Sequence, residues 1–216
     1  MTCRRYRQAA GVVLVATAAL VSASCGDTVR QGRSPAYLVM DKLTASSGAK
    51  PDATGSHVLE SDVITNVEAT IGGETVLVPT VFEDGGEVEL HVALKDPGTP
   101  TAPTDVGPMN HVTVDRYRVT FLRSDGRNTP GVDVPYAFDG AVTGTISGGA
   151  SKLNFVLVRA QAKKEAPLQA LRGMGGAMLI STIAEVTFWG KDQAGNVVSV
   201  TGRISVNFAD WGDPTS

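Results

Sequence analysis

The chain has 216 residues, 42% of them hydrophobic and 19% charged, which suits one folded domain and excludes wholesale disorder. Its 24 glycines and 11 prolines favour many short strands over a few long helices. The formal charge is −3, and a mildly acidic surface repels phosphates, so no nucleic-acid partner is expected.

The chain opens on Arg4, Arg5 and Arg7, followed by an uncharged, mostly aliphatic run from Ala9 to Val21. That run is shorter than the ~20 residues a permanent transmembrane helix needs. Small residues Ser22, Ala23 and Ser24 come next, so residues 1–24 read as an export signal that is removed. Loss of its three arginines makes the mature chain more acidic. The only cysteines are Cys3, which leaves with the signal, and Cys25, which is then without a partner for an intrachain disulfide.

The stretch Leu20-Val21-Ser22-Ala23-Ser24-Cys25-Gly26 resembles the lipobox of bacterial lipoproteins. It matches at Ala23, Ser24 and Cys25 and departs at Ser22, where that family has Leu or Val; ordinary signal-peptide cleavage is the alternative. The resemblance implies that Cys25 is the lipid attachment site and the first mature residue. More than one acyl chain is what stable anchoring requires. Gly26 after the cysteine resembles lipoproteins sent to an outer membrane where the envelope has two. Residues 25–35 then read as a lipidated tether, and 36–216 as the domain, lying in the periplasm or at the cell surface.

Along the domain, residues 37–44 could form a first strand, and 45–57, rich in Ser, Gly, Pro and Asp, a loop. Residues 62–71 are β-branched and read as a strand, turning at Gly72-Gly73 to a short partner at 75–78. Residues 87–94 give the clearest alternation, with Val88, Leu90, Val92 and Leu94 inward and Glu87, Glu89 and His91 toward water. The Pro-rich stretch 96–109 is a long connection, and long loops in compact domains are often functional. In 111–123 the apolar phase slips between Val112/Val114 and Tyr117/Val119/Phe121, which predicts a β-bulge near Asp115-Arg116. Segment 132–136 reads as extended, and 140–146 and 153–159 as strands. Residues 166–172, with Pro167 first, Leu168 and Leu171 three apart and Gly173 after them, read as the one short helix. Residues 179–189 and 197–208 are long strands joined through Gly195-Asn196, a pair suited to the positive φ angles of a tight turn.

Within that last pair, the run from Val186 to Asn196, ending Asp192-Gln193-Ala194-Gly195-Asn196, resembles the penultimate strand and turn of bacterial immunoglobulin-like domains. The fold class expected is therefore all-β: an immunoglobulin-like antiparallel β-sandwich with long loops and one short helix. Such modules usually have ~100 residues. The surplus suits one elaborated sandwich better than a sandwich with a second small β-unit, because strands recur throughout 62–208.

No chemical constellation stands out. His57, His91 and His111 pair with no other His or Cys at metal-ligand spacing, so no metal site and no cofactor are expected. A His111–Asp115 pairing would need an activated nucleophile, and no G-x-S-x-G elbow occurs. Ser47-Gly48-Ala49-Lys50 fits S-x-x-K formally but sits in a loop without its partner motifs. Asp96, Asp105, Asp125, Asp133 and Asp192 are dispersed candidates for calcium, though turn chemistry explains each alone. Trp189, Trp211, Tyr117, Tyr136 and Phe138 could line a sugar platform, but core or cross-strand packing is the default for such residues. Trp211 is expected to plug the end of the sandwich, and Met174 and Met178 to fill the core. The function expected is a membrane-anchored cell-envelope lipoprotein, acting as a non-enzymatic binding or structural module. Its partners would be the membrane through the lipid anchor and an envelope protein or glycan. The alternatives are an envelope hydrolase with a histidine-centred site, or a calcium- or carbohydrate-binding domain.

Overall fold

The computed structural model describes residues 32–50 and 55–212; Cys25, the export segment and most of the tether lie outside them. In chain order the strands are β1 (Ala36–Ser46), β2 (Val58–Asp62), β3 (Thr65–Ile71), β4 (Glu74–Thr80), β5 (Asp84–Leu94), β6 (Gly98–Thr99) and β7 (Ala102–Pro103). There follow β8 (Val112–Leu122), β9 (Phe138–Ile146), β10 (Ser151–Val158), a single-turn helix α1 (Ala160–Lys163), β11 (Ile180–Asp192) and β12 (Val197–Ala209). A three-stranded sheet, β1-β5-β10, faces a five-stranded sheet, β2-β12-β11-β8-β9. The fold is an all-β sandwich.

Alternation places the core between the sheets. Val88, Leu90 and Val92 of β5, Ala184, Val186 and Phe188 of β11, and Ile204, Val206 and Phe208 of β12 are buried in one cluster. The rings of Tyr117, Phe138, Phe155 and Phe188 meet at its centre at 5.1–6.2 Å, mostly edge to face. Glycines make room for them: a Cβ on Gly140 would lie 2.2 Å from the Tyr117 ring.

The bulge expected in β8 is present. Asp115 is skipped between the pairs Val114↔Gly144 and Arg116↔Ala141, and again opposite β11, so both apolar sets of the strand point inward. A second bulge skips Asp41 in β1.

Several expectations change. The strands are not all antiparallel, because the short edge strand β2 runs parallel to β12. Segment 62–71 breaks after Asp62, whose carboxylate accepts bonds from Thr65 Oγ1 at 2.5 Å and from the Ile64 N–H, turning the chain between β2 and β3. Residues 166–172 hold a 3₁₀ turn at Leu168–Leu171; the three-residue spacing of those buried leucines matches its period, and the α-helical turn lies earlier, at α1. Residues 132–136 are not a strand: 131–133 turn, and Val134 makes a single bridge to Pro130. Only Gly195 of the Gly195-Asn196 pair has a positive φ. Met174 and Met178 are exposed, since α1 and the 3₁₀ turn already supply Ala162, Leu168 and Leu171 to the core.

The two ends of the sandwich differ. At one end the incoming chain is fixed by the Ser34 hydroxyl on Asp192, in the β11–β12 turn, and by the Lys95 N–H on the Pro35 carbonyl. At the other end, one β12 length away (roughly 40 Å), Asp62 pairs with Ala209 and the β3–β4 hairpin departs.

Candidate functional site

Three adjoining hollows at the end away from Ser34 make a polar trough. The largest, of about 420 Å³, lies on the outer face of the three-stranded sheet. Its floor is Gly85, where a side chain would find only Ser46 Oγ, at 3.8 Å. Its walls include Lys42 and Thr44 from β1, Glu87 from β5, and Lys152 and Asn154 from β10. Register sets these groups in rows, with Thr44 and Asn154 flanking Glu87, and Lys42 and Lys152 flanking Glu89. Lys152 Nζ lies 2.9 Å from Glu87 Oε1, and that hydrogen bond, with the charges of Glu87 and Glu89, raises the lysine pKa. Charges alternate, so the trough offers both donors and acceptors.

Through Ala45 and Ser46 this hollow joins a second one of about 340 Å³ between β1 and β2. Through Ser47, Lys50 and Glu60 that one joins a third, smaller hollow beside Asp62 and Trp211. Burial raises the Asp62 pKa and the neighbouring Asp210 adds to it, against hydrogen bonds from Thr65 and from the Trp211 and Ile64 N–H groups. The Trp211 indole Nε1 is buried and has no partner among the described residues. Trp211 itself is half-buried, lines this hollow and donates its backbone N–H to Asp62, but it does not join the core cluster.

A buried ion pair holds the loop above the trough. Asp84, at the start of β5, accepts from Lys163 Nζ, from Ser61 Oγ at 2.6 Å and from the Gly48 N–H at 3.0 Å. One carboxylate thus ties together β5, β2, α1 and the β1–β2 loop. Neither Asp84 nor Lys163 stands out in sequence, because an acid before two glycines and a lysine in Ala-Lys-Lys-Glu carry no local sign of burial. The Asp84-Gly85-Gly86 run is the one visible signal: a strand that starts with a buried acid and two positions without side chains.

Of the residues singled out from sequence, Ser47 and Lys50 line the second and third hollows of this trough and Trp211 the third, whereas the histidines, the loop aspartates and the other aromatics lie elsewhere. His91 Nδ1 is 2.7 Å from Asp41 Oδ2, a pair formed because the β1 bulge turns Asp41 onto the outer face, where water alone was expected. His57 Nδ1 lies 3.2 Å from the Leu43 carbonyl. His111 precedes β8, and its carbonyl accepts from Gln193; Asp115, at the bulge, is exposed. Asp96 caps the Gly98 N–H, Asp133 the Thr129 N–H, and Asp125 binds Arg123 and Arg127, which hold its carboxyl far below the usual range. Of the aromatics, Tyr117 and Phe138 are core and Tyr136 is exposed. Trp189 lies on the outer face of the five-stranded sheet, under the Arg116 guanidinium at 4.4 Å, because Phe188 takes the inward phase. The 96–109 connection folds into the β6–β7 ribbon and a 3₁₀ turn at the Ser34 end, away from the trough.

Fold and surface together define a β-sandwich with a polar trough at one end. The chain matches no family model, and neither the curated proteins nor the solved structures include a significant match to it.

Proposed function

We propose that the protein is a cell-envelope lipoprotein, anchored through Cys25 and acting as a non-enzymatic binding or structural module. The observation that supports this reading is the placing of the trough at the end of the sandwich opposite the incoming tether. An anchored domain of that build turns its trough away from the membrane, toward envelope components. Alternating Lys, Glu, Asn, Thr and Ser groups over a glycine floor suit a hydroxyl-rich glycan or a polar protein segment, since such partners need donors and acceptors in alternation. The His91–Asp41 pair supplies a base and its orienting acid, but no hydroxyl or thiol hydrogen-bonds to His91 among the described residues.

A photo-crosslinking residue placed at Asn154 or Lys42, with Thr201 on the opposite sheet as control, tests the reading in intact cells. Adducts at the trough positions and none at Thr201 are expected. Equal labelling at all three positions, or none, overturns it.

A further inference from the structure

Gly85 is a glycine that the fold does not require. It lies in β5, the central strand of its sheet, opposite Ser46 of β1 and Val156 of β10. Its φ is not positive, it is exposed, and a Cβ there would meet nothing closer than Ser46 Oγ at 3.8 Å. The next residue is the contrast. A Cβ on Gly86 would lie 2.4 Å from the Phe155 ring, so packing alone excludes a side chain at that position. A glycine inside a strand weakens it, and one with neither a packing nor a conformational reason marks the close approach of something outside the strand.

We propose, resting on the reading of the trough as a binding site, that its occupant is a hydroxyl-rich glycan with one sugar ring laid flat on the Gly85 peptide. The floor separates a sugar from a polypeptide. β5 is paired along both edges, with β1 on one side and β10 on the other, so its N–H and C=O groups are engaged within the sheet. A polypeptide laid across that floor brings backbone donors and acceptors that find no partners there. A pyranose has the opposite build, with C–H groups on its faces and hydroxyls around its rim.

The walls suit that rim. β1 and β10 flank β5 on either side, so their outward side chains stand roughly 10 Å apart, room for one ring with its substituents. Ser46, Glu87, Lys152 and Asn154 line this space and supply hydroxyl, carboxylate, ammonium and amide groups. Each sugar hydroxyl both donates and accepts, and this set answers both needs. The hollow of about 420 Å³ continues through Ala45 and Ser46 into the next one, which gives the following sugar of a chain its path.

The test joins crosslinking in intact cells to melts of the purified chain carrying Cys25→Ser. A photo-crosslinking residue at Asn154 is expected to give adducts that survive exhaustive protease digestion and release monosaccharides on acid hydrolysis. Gly85→Val sets a β-branched side chain on the floor beside Val156. It is expected to cut the adduct yield at least tenfold while the melting temperature stays the same or rises. Gly86→Ala, which meets the Phe155 ring, is expected to lower it. Adducts made of polypeptide without carbohydrate overturn the proposal and leave the trough standing as a binding site. Labelling no greater than at Thr201, or none, overturns both. Gly85→Val with undiminished adducts, or with a clearly lowered melting temperature, overturns the proposal.

Discussion

Lys163 Nζ lies 2.8 Å from Asp84 Oδ2 and 2.9 Å from Oδ1, and both side chains are wholly buried. The carboxylate accepts three hydrogen bonds, one each from the ammonium, Ser61 and Gly48, and its second oxygen also faces the ammonium. That satisfaction offsets the desolvation of two charges, and breaking it exposes the full cost. Lys163→Met therefore costs about 3–5 kcal/mol in urea unfolding, because Asp84 is left buried and unpaired. The double variant Lys163→Met/Asp84→Leu is expected to be less destabilised than the single one. If it is worse, the pair contributes net stability and the argument from uncompensated charge is wrong.

Two further buried carboxylates, Asp192 and Asp62 at opposite ends, respond to pH in opposite directions. Burial alone would raise the Asp192 pKa, but the side chain and N–H of Asn196, the Ser34 hydroxyl and the Ala194 N–H outweigh it and hold it below the ordinary 3.8. Its contribution is therefore complete above that value and is lost as pH falls below it. Asp192→Ala should cost about 1–3 kcal/mol at pH 7, for lost hydrogen bonds to a charged group, and the gap to the native chain should close toward pH 3. Asp62 has the opposite sign. Its raised pKa favours the protonated folded form, so stability falls as pH rises from 3.8 through the folded value. Asp62→Asn should gain on the native chain over that rise. Thermal melts of both variants between pH 3 and 7 check the divergence.

Cys25→Ser tests the anchor. In detergent phase separation of whole cells, the native chain is expected in the detergent phase and the variant in the aqueous phase, because the acyl chains carry the membrane affinity. Identical partitioning of the two removes the lipoprotein reading and leaves the trough to be explained in a freely exported protein.

Much of the sandwich is legible in sequence because inward and outward residues differ sharply along β5, β11 and β12. Even the Asp115 bulge shows, as a change of phase between Val114 and Tyr117. Three things are not legible, each for a physical reason. Leu168 and Leu171 fit an α-helical face and a 3₁₀ turn equally, since both bring residues three apart together. The 65–80 hairpin has the pattern of a half-buried ribbon, yet Ile71 and Leu77 stay 63% exposed. The trough depends on what is missing, namely a side chain at Gly85, and on a salt bridge between residues 79 apart. Local pattern carries no information about either.

Glycine contacts separate rigid from yielding packing, which gives the last prediction. A Cβ on Gly140 would meet the Tyr117 ring at 2.2 Å, and that ring is held between Phe138, Phe155 and Phe188. A Cβ on Gly202 would meet Met40 Sδ at 2.1 Å, but the thioether end of a flexible side chain can swing aside. Both glycines sit in strands with ordinary negative φ, so neither substitution strains the backbone. Gly140→Ala is expected to cost about 1–3 kcal/mol through overpacking, and Gly202→Ala clearly less. Trimming Tyr117 to Leu in the Gly140→Ala background should recover less than it frees, because the ring's edge-to-face contacts and its hydroxyl bond from the Val156 N–H are lost together. Equal melting temperatures for the two alanine variants would show that the aromatic cluster yields as readily as a methionine.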